Sequence, residues 1–185
     1  MYEKRPFYRS PLIIVGLLGG LLLAIEIVNF LSGRQLTNLG IVPRHLDYIW
    51  HIFTAPFVHA DFSHFLSNLL PICLFALLIL QFGVKQFYLL TAGVLILTGV
   101  AVWLFARPAI HVGASGLVYG YLGYLVLAGW LSRKFSLIFI SLAVTLLYGS
   151  MIFGALPVRG FISWESHLFG FISGLFMAYW MRRIR

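Results

Sequence analysis

Charged residues are scarce in this 185-residue chain: they make up 10% of the sequence, and only five residues are acidic. A soluble domain carries roughly 25% charged residues, so too few are present here to cover a water-facing surface. Hydrophobic residues account for 61% of the sequence, and the mean hydropathy is +0.97. The composition excludes an ordinary soluble protein and indicates an integral membrane protein.

Familiar metal and redox motifs are also missing. Cys73 is the single cysteine, so no internal disulfide can form. There is no His-Glu-x-x-His motif, which argues against a zinc intramembrane protease. The only aspartates lie outside the apolar runs, which argues against an aspartyl protease. A loop metal site is a weaker alternative, because its candidate ligands have no paired spacing: His51, His59, Asp61 and His64. We therefore expect no metal and no cofactor.

Long apolar segments, in contrast, are abundant. A transmembrane helix needs about 20 mostly apolar residues. We identify six such segments, at 11–31, 63–82, 86–105, 115–131, 135–154 and 164–181. No internal repeat or second domain is apparent. Residues 1–185 are therefore predicted to form a single all-α membrane domain with six transmembrane helices.

The segment between the first two helices has a different character. It reads "LSGRQLTNLGIVPRHLDYIWHIFTAPFVHADF", which is too polar to cross a membrane and too aromatic for a free linker. Aromatic residues are enriched at the membrane–water interface. We predict an interfacial segment with Tyr48, Trp50 and Phe53 directed toward lipid.

The basic residues predict the orientation of the bundle. A net charge of +8 on a soluble protein would point to nucleic acid, but Lys and Arg are also enriched on the cytoplasmic side of membrane proteins. With the N-terminus inside, nine basic residues lie on the cytoplasmic side and four on the outer side. The cytoplasmic set is Lys4, Arg5, Arg9, Lys85, Arg133, Lys134, Arg182, Arg183 and Arg185, and the outer set is Arg34, Arg44, Arg107 and Arg159.

This distribution predicts that both termini are cytoplasmic and that nucleic acid is not a partner. The N-terminal "MYEKRPFYRS" is basic, but the apolar stretch after it lacks a small-residue cleavage site, so we predict no cleaved signal peptide. The small size of the chain favours a prokaryotic inner or plasma membrane.

Four polar residues fall at the outer ends of the predicted helices. Polar groups at membrane depth cost free energy, so their presence there suggests a function. His64 and Asn68 are four residues apart, so they share one face of the second helix. Ser115 begins the fourth helix, within "HVGASGLVYG", and His167 begins the sixth, within "HLFGFISG".

Glycine stripes predict how these helices meet. Gly116 and Gly120 follow the serine, and Gly170 and Gly174 lie on the face of the histidine. Small residues allow transmembrane helices to approach closely. Packing one stripe against the other would bring Ser115 to His167, which is the minimum for nucleophilic catalysis.

The same cluster offers donors for the oxyanion of a tetrahedral intermediate. His64 and Asn68 supply side-chain donors, and the Ser115 backbone amide lies unpaired in a first helical turn. Gly113 and Gly116 permit close backbone approach. No acidic partner for the histidine is evident, so we predict a Ser-His dyad. Each residue alone is more often structural, but their joint placement favours catalysis.

These motifs resemble the rhomboid family of intramembrane serine proteases. They are the "GASG" at 113–116, the "HFLSN" at 64–68 and the "HLFGFISG" at 167–174, and the resemblance covers nearly the whole chain. It implies a six-helix bundle with Ser115 as nucleophile and His167 as general base.

The resemblance also assigns supporting roles. It implies that His64 and Asn68 line the oxyanion hole, that Tyr119 packs against the ring of His167, and that His59 is structural. The implied partners are transmembrane protein substrates, cleaved near the outer membrane boundary, and the lipid bilayer. The oligomeric state is not indicated.

Two other functions remain open. A catalytically inactive rhomboid-like protein that binds or escorts membrane substrates is the first, although such relatives lack the serine or the histidine. A small channel or transporter is the second, but its polar residues would run along a span.

The roles of two acidic residues, Glu26 and Glu165, are interpreted separately. Glu26 is a functional candidate because it lies within a span, although we favour a side chain that reaches toward the headgroups. Glu165 could tune the site, but an acid in a first helical turn is more often favourable helix electrostatics.

Overall fold

The computed structural model describes residues 10–157 and 163–183, and six α-helices lie within them. Five agree with the predicted segments to within two residues. The fifth prediction, 135–154, covers a shorter α-helix and the 3-10 segment Gly149–Ala155 that continues it. The helices are α1 Pro11–Leu31, α2 Phe62–Leu80, α3 Val84–Phe105, α4 Ser115–Ser132, α5 Phe135–Tyr148 and α6 Trp164–Met181.

Four of these segments are long and apolar enough to cross a membrane: α1, α2, α3, and α5 together with its 3-10 continuation. Their outward surfaces carry large exposed apolar side chains, among them Leu31 at 77% and Phe135 at 85% exposure. Such surfaces are stable in lipid and not in water. The protein is an integral membrane protein.

The helix α4 forms the centre of the bundle. It packs against α2, α3, α5 and most extensively against α6, and most of its residues are buried. A methyl group added at Gly170 would overlap the carbonyl oxygen of Gly116, and one added at Gly174 would overlap that of Gly120. The two glycine stripes therefore meet, backbone against backbone, which fixes the starts of α4 and α6 side by side.

The segment between α1 and α2 folds into three 3-10 helices, at Gln35–Leu39, Leu46–Phe53 and Ala55–Phe57. Tyr48, Trp50 and Phe53 are 46%, 49% and 53% exposed, so their side chains are accessible for the predicted contact with lipid. The segment is tied to the loop before α4 by a bridge between Ile41 and His111. It is thus a fixed part of the bundle and not a free linker.

Local caps set where the site helices begin. The Asp61 carboxylate accepts a 2.8 Å hydrogen bond from the His64 amide and so caps α2. The Ser163 hydroxyl accepts from the Ser166 amide and caps α6. Because each cap is three or four residues before a predicted site histidine, the caps fix the positions of His64 and His167.

Candidate active site

A cavity of about 610 Å³ opens between α2, α4, α6 and the loop before α4. Five residues singled out from the sequence line it together: His64, Asn68, Ser115, Tyr119 and His167. Because they come from three helices, only the packing of those helices could bring them to one place.

Ser115 is the first residue of α4. Before it, Gly113 has a φ of +110°, a conformation that is strained for a residue with a Cβ. The Ala114 amide donates to the ring of His59, and the Val118 amide begins the regular helical pattern. The Ser115 amide lies between them and has no acceptor among the described residues, so it is free to donate to a ligand.

His167 stands at the start of α6 with one ring nitrogen engaged. Its Nδ1 lies 2.8 Å from the carbonyl oxygen of Gly154. A carbonyl oxygen can only accept, so Nδ1 carries the proton and the lone pair is on Nε2. This is the tautomer that a general base requires.

The ring of His167 is also held from one face. Tyr119 stacks on it with ring centroids 4.1 Å apart and planes 6° from parallel. The tyrosine hydroxyl in turn donates to the Met151 carbonyl at 2.8 Å. The imidazole therefore has its orientation fixed by a stack and a hydrogen bond.

His64 and Asn68 come close to the loop before the serine. A Cβ placed on Gly113 would lie 2.7 Å from Nε2 of His64 and 3.6 Å from Nδ2 of Asn68. Within the described parts of the chain, neither ring nitrogen of His64 has a hydrogen-bond partner. The side-chain amide of Asn68 donates one hydrogen from Nδ2 to the His64 backbone carbonyl at 2.9 Å. The second hydrogen on Nδ2 is left for a ligand.

The serine and the histidine share the cavity without a direct hydrogen bond. No contact in the described residues joins the Ser115 hydroxyl to His167. Catalytic hydrogen bonds are often long in the absence of substrate and shorten when the substrate binds. The geometry is that of a site in which both groups face one space.

His59 lies directly behind the loop that carries the serine. It is fully buried, its Nε2 accepts from the Ala114 amide at 3.3 Å, and its ring meets that of His64 edge-on. The Asn29 side chain donates to its carbonyl at 2.8 Å. Sequence reasoning missed Asn29, whose only signal is an amide in the apolar run of α1.

Glu26 corrects an expectation. Its side chain does not reach toward the headgroups: it is 3% exposed and forms an ion pair with Arg34 at 2.6 Å. A buried carboxylate next to a guanidinium is stabilised by charge pairing, and reaching water would break that pair. Arg34 lies in the loop just after α1, a partner that spacing alone could not indicate.

Glu165 lies in the first turn of α6, as expected, but it is buried and not solvated. One carboxylate oxygen lies 3.5 Å from Nε of Arg107 and 3.4 Å from the Arg107 amide. The residue therefore ties α6 to the loop before α4, a contact that helix electrostatics alone did not predict.

A third histidine, His111, also lines the cavity. The sequence analysis assigned it no role, although its position four residues before Ser115 is a signal. Both of its ring nitrogens are engaged, with Ser163 and with the Arg107 carbonyl.

Comparison with known proteins identifies the family. The family model described as "Rhomboid domain" matches residues 46–184. The chain belongs to the rhomboid family. An uncharacterized protein of Mycobacterium tuberculosis, Rv1337, is 36% identical over 168 residues, covering 86% of this chain and 70% of that protein. The "Putative rhomboid protease YdcA" of Bacillus subtilis is 29% identical over 134 residues, covering 70% and 66%.

A plant relative matches as well. "RHOMBOID-like protein 1" of Arabidopsis thaliana is 29% identical over 145 residues, which covers 73% of this chain and 35% of that protein. The family-model match at residues 46–184 spans the helices that line the cavity. The resemblance seen in the sequence motifs is therefore confirmed at the level of the family.

The buried His59 predicts a pH dependence of stability. Burial, with the nearby His64 and Arg34 opposing the charged form, lowers the pKa of His59 from 6.5 to about 4, against a smaller opposing effect of Asp61. Between these values the unfolded chain binds a proton that the folded protein does not. Stability due to His59 is therefore full above pH 7 and declines as the pH falls, by about 2 kcal/mol at pH 5.

Thermal unfolding of this rhomboid protein in detergent, measured from pH 7 to pH 5, tests this. The melting temperature should fall with pH, and His59→Asn should show a flatter slope from a lower starting value. An unchanged slope in the variant would show that other groups cause the decline.

Proposed function

We propose that this rhomboid protein is an intramembrane serine protease that cleaves transmembrane segments of membrane proteins near the outer membrane boundary through a Ser-His dyad. The observation that carries the proposal is the 2.8 Å contact between Nδ1 of His167 and the Gly154 carbonyl oxygen, which assigns the tautomer of the ring. Its Nδ1 proton is held by the Gly154 carbonyl, so the basic Nε2 belongs to a ring that faces the same cavity as Ser115.

The reaction follows from these groups. As the Ser115 hydroxyl attacks the scissile carbonyl carbon, its proton passes to Nε2 of His167. The C–N bond then breaks, and the protonated histidine gives that proton to the leaving amine. Water, deprotonated by the same nitrogen, then attacks the acyl carbon; the ester C–O bond breaks, and the histidine returns the proton to the Ser115 oxygen. No metal or cofactor is required for these steps.

Three donors from residues that line the cavity beside the serine would hold the oxyanion. They are the Ser115 amide, the ring of His64 and the second amide hydrogen of Asn68. Donors of this kind contribute most when they are positioned before the reaction. Gly113 leaves room for them, because a Cβ there would collide with the His64 ring.

The substrate must unfold locally before it can react. The amides of a transmembrane helix are engaged in hydrogen bonds within the helix, so the scissile bond has to become extended first. A transmembrane segment that enters sideways from the lipid, with helix-breaking residues near the outer boundary, meets this requirement.

The proposed topology has six spans and both termini in the cytoplasm of a prokaryotic cell, in the inner or plasma membrane. Lys134, between α4 and α5, and Arg182, after α6, line one cavity at the end of the bundle opposite Ser115. Because basic residues are enriched on the cytoplasmic side of membrane proteins, this end is assigned to the cytoplasm. Arg34, Arg44 and Arg107 lie toward the other end. Lys4, Arg5, Arg9, Arg159 and Arg185 lie outside the described residues.

One observation favours a second candidate, a rhomboid-like protein that binds or escorts membrane substrates without cleaving them. Ser115 and His167 make no hydrogen bond in the described structure. An escort protein would need the cavity but not an activated serine.

An activity-based probe separates these two functions. We expect a fluorophosphonate, which phosphonylates activated serines, to label the purified protein in detergent and to leave Ser115→Ala and His167→Ala unlabelled. The reagent needs no knowledge of the substrate. Folding of all three proteins should be verified by thermal unfolding, and a folded but unlabelled wild type would support the escort function instead.

A further inference from the structure

His111 connects the loop before the nucleophile to the helix that carries the base. Its Nδ1 lies 2.6 Å from the hydroxyl of Ser163, the cap of α6, and its Nε2 lies 3.1 Å from the Arg107 carbonyl. The residue is 3% exposed, and its backbone is bridged to Ile41 in both directions, at 2.8 and 2.9 Å. The imidazole is thus fixed from its backbone and from both nitrogens.

The direction of each hydrogen bond can be assigned. The Arg107 carbonyl only accepts, so Nε2 carries the proton, and neutral Nδ1 must accept from the Ser163 hydroxyl. Ser163 then has its oxygen free to accept from the Ser166 hydroxyl at 2.7 Å and from the Ser166 amide at 3.4 Å. Every donor and acceptor in this chain of contacts is satisfied by one arrangement of protons.

The three histidines of the cavity therefore differ in what they can do. His64 has two free ring nitrogens in the described structure, and His167 has one, Nε2. His111 has none, so it can neither take a proton from Ser115 nor donate to an oxyanion. Its role has to be exerted through the residues it holds.

The spacing shows what it holds. His111 is four residues before Ser115, and Ser163 is four residues before His167. The His167 amide lies 3.4 Å from the Ser163 carbonyl, so the base is one helical turn from the cap. The contact between His111 and Ser163 therefore joins the two chain segments of the site, and it lies four residues before the nucleophile on one segment and four residues before the base on the other.

We propose that His111 is a positioning residue: within the frame set by the packing of α4 against α6, its bond to Ser163 holds Ser115 and His167 at their working separation. This inference rests on the proposed protease function. The nearby ion pair of Arg107 with Glu165 joins the same two segments. Glu165, however, does not line the cavity, whereas His111 and Ser163 both do. The contact between His111 and Ser163 is therefore the closer link to the reacting groups.

The test compares wild type with variants that remove one side of the link. His111→Phe keeps a planar ring without nitrogens, and Ser163→Ala removes the hydroxyl. His111→Gln retains one donor and one acceptor. His45→Phe, an exposed histidine outside the cavity, is the matched control. Each protein is measured for its rate of fluorophosphonate labelling, its kcat and KM on a transmembrane model substrate, and its melting temperature.

We expect His111→Phe and Ser163→Ala each to lower kcat by about 10- to 100-fold, since displacement of a catalytic group by about 1 Å has effects of this size. KM should stay within about twofold, because the removed contact is not to substrate. The double variant should be no slower than the slower single variant, His111→Gln should recover most of the rate, and His45→Phe should match wild type.

Several results would overturn the inference. They are a wild-type rate in Ser163→Ala, losses that multiply in the double variant, or a His111→Gln variant as slow as His111→Phe at an unchanged melting temperature. If His111→Phe does not fold, His111→Ala replaces it in the comparison, because Ser163→Ala also removes the cap of α6. Failure of the protease function is distinguishable, because the folded wild type would then react with neither probe nor substrate.

Discussion

Replacing Ser115 with alanine is expected to lower cleavage of a transmembrane substrate by about 10⁴- to 10⁶-fold, and His167→Ala should cause a loss of similar size. The two residues act as one unit, since the hydroxyl is a poor nucleophile until the imidazole takes its proton. The double variant should therefore be no slower than either single variant.

This non-additivity is the decisive part of the result. If the two losses multiplied, the serine and the histidine would contribute independently, and a dyad would be wrong. The measurement uses a transmembrane substrate reconstituted with the protein in liposomes, with product quantified over hours to reach the low rates.

Asn68→Ala should lower cleavage in the same assay by about 10²- to 10³-fold, because it removes one oxyanion donor and leaves the nucleophile active.

Replacing Gly174 with leucine is expected to prevent α6 from packing against α4, so that no folded, probe-reactive protein is recovered. Even a methyl group at this position would overlap the Gly120 carbonyl oxygen and lie 2.8 Å from the Tyr124 amide nitrogen. These are backbone atoms at the centre of the bundle, so they cannot move aside as a flexible side chain can. Overpacking of this kind costs about 1–3 kcal/mol for a small group and more for a large one.

The matched comparison is Gly174→Ala against Gly20→Ala. Gly20, in α1, has open space where its Cβ would lie. Alanine there should be neutral or stabilising by up to about 1 kcal/mol, because alanine is the better helix former. The melting temperature should fall only for Gly174→Ala. Equal effects at both sites would show that the close approach of α4 and α6 does not limit stability.

The positions of the helices could be predicted from the sequence with small errors because hydrophobicity is a local property. A run of about 20 apolar residues is required for each span whatever its neighbours are, and α1 begins and ends where its apolar run does. The predicted span 135–154 agrees with the observed Phe135–Ala155, but the change from an α-helix to a 3-10 helix after Tyr148 was not predicted. Hydrophobicity does not distinguish these two helix types.

The composition of the candidate site was also visible, because its residues lie in short motifs with unusual chemistry. Ser115, His167, His64 and Asn68 are polar groups at helix ends in an apolar chain. Their glycine neighbours further indicated which helices could approach closely. Local spacing was sufficient to name these residues, though not to place them.

Partners distant in sequence were beyond prediction. Glu26 was expected to reach the headgroups, yet the fold places Arg34 beside it. Glu165 was treated as a helix-end charge, yet Arg107, 58 residues away, meets it. A single sequence carries no signal for which distant charge pairs with which, since pairing depends on the packing of helices and loops.

The sequence by itself determined that this is a membrane protein with helices at these positions and a rhomboid set of polar residues, because each of those properties resides in a contiguous segment. The tertiary structure alone decided the tautomer of His167 through the Gly154 carbonyl, and the link of His111 to Ser163 across 52 residues. The physical reason is that a hydrogen bond depends on the position of both partners, and only the packing of α4 against α6 and the adjoining loops fixes where these partners lie.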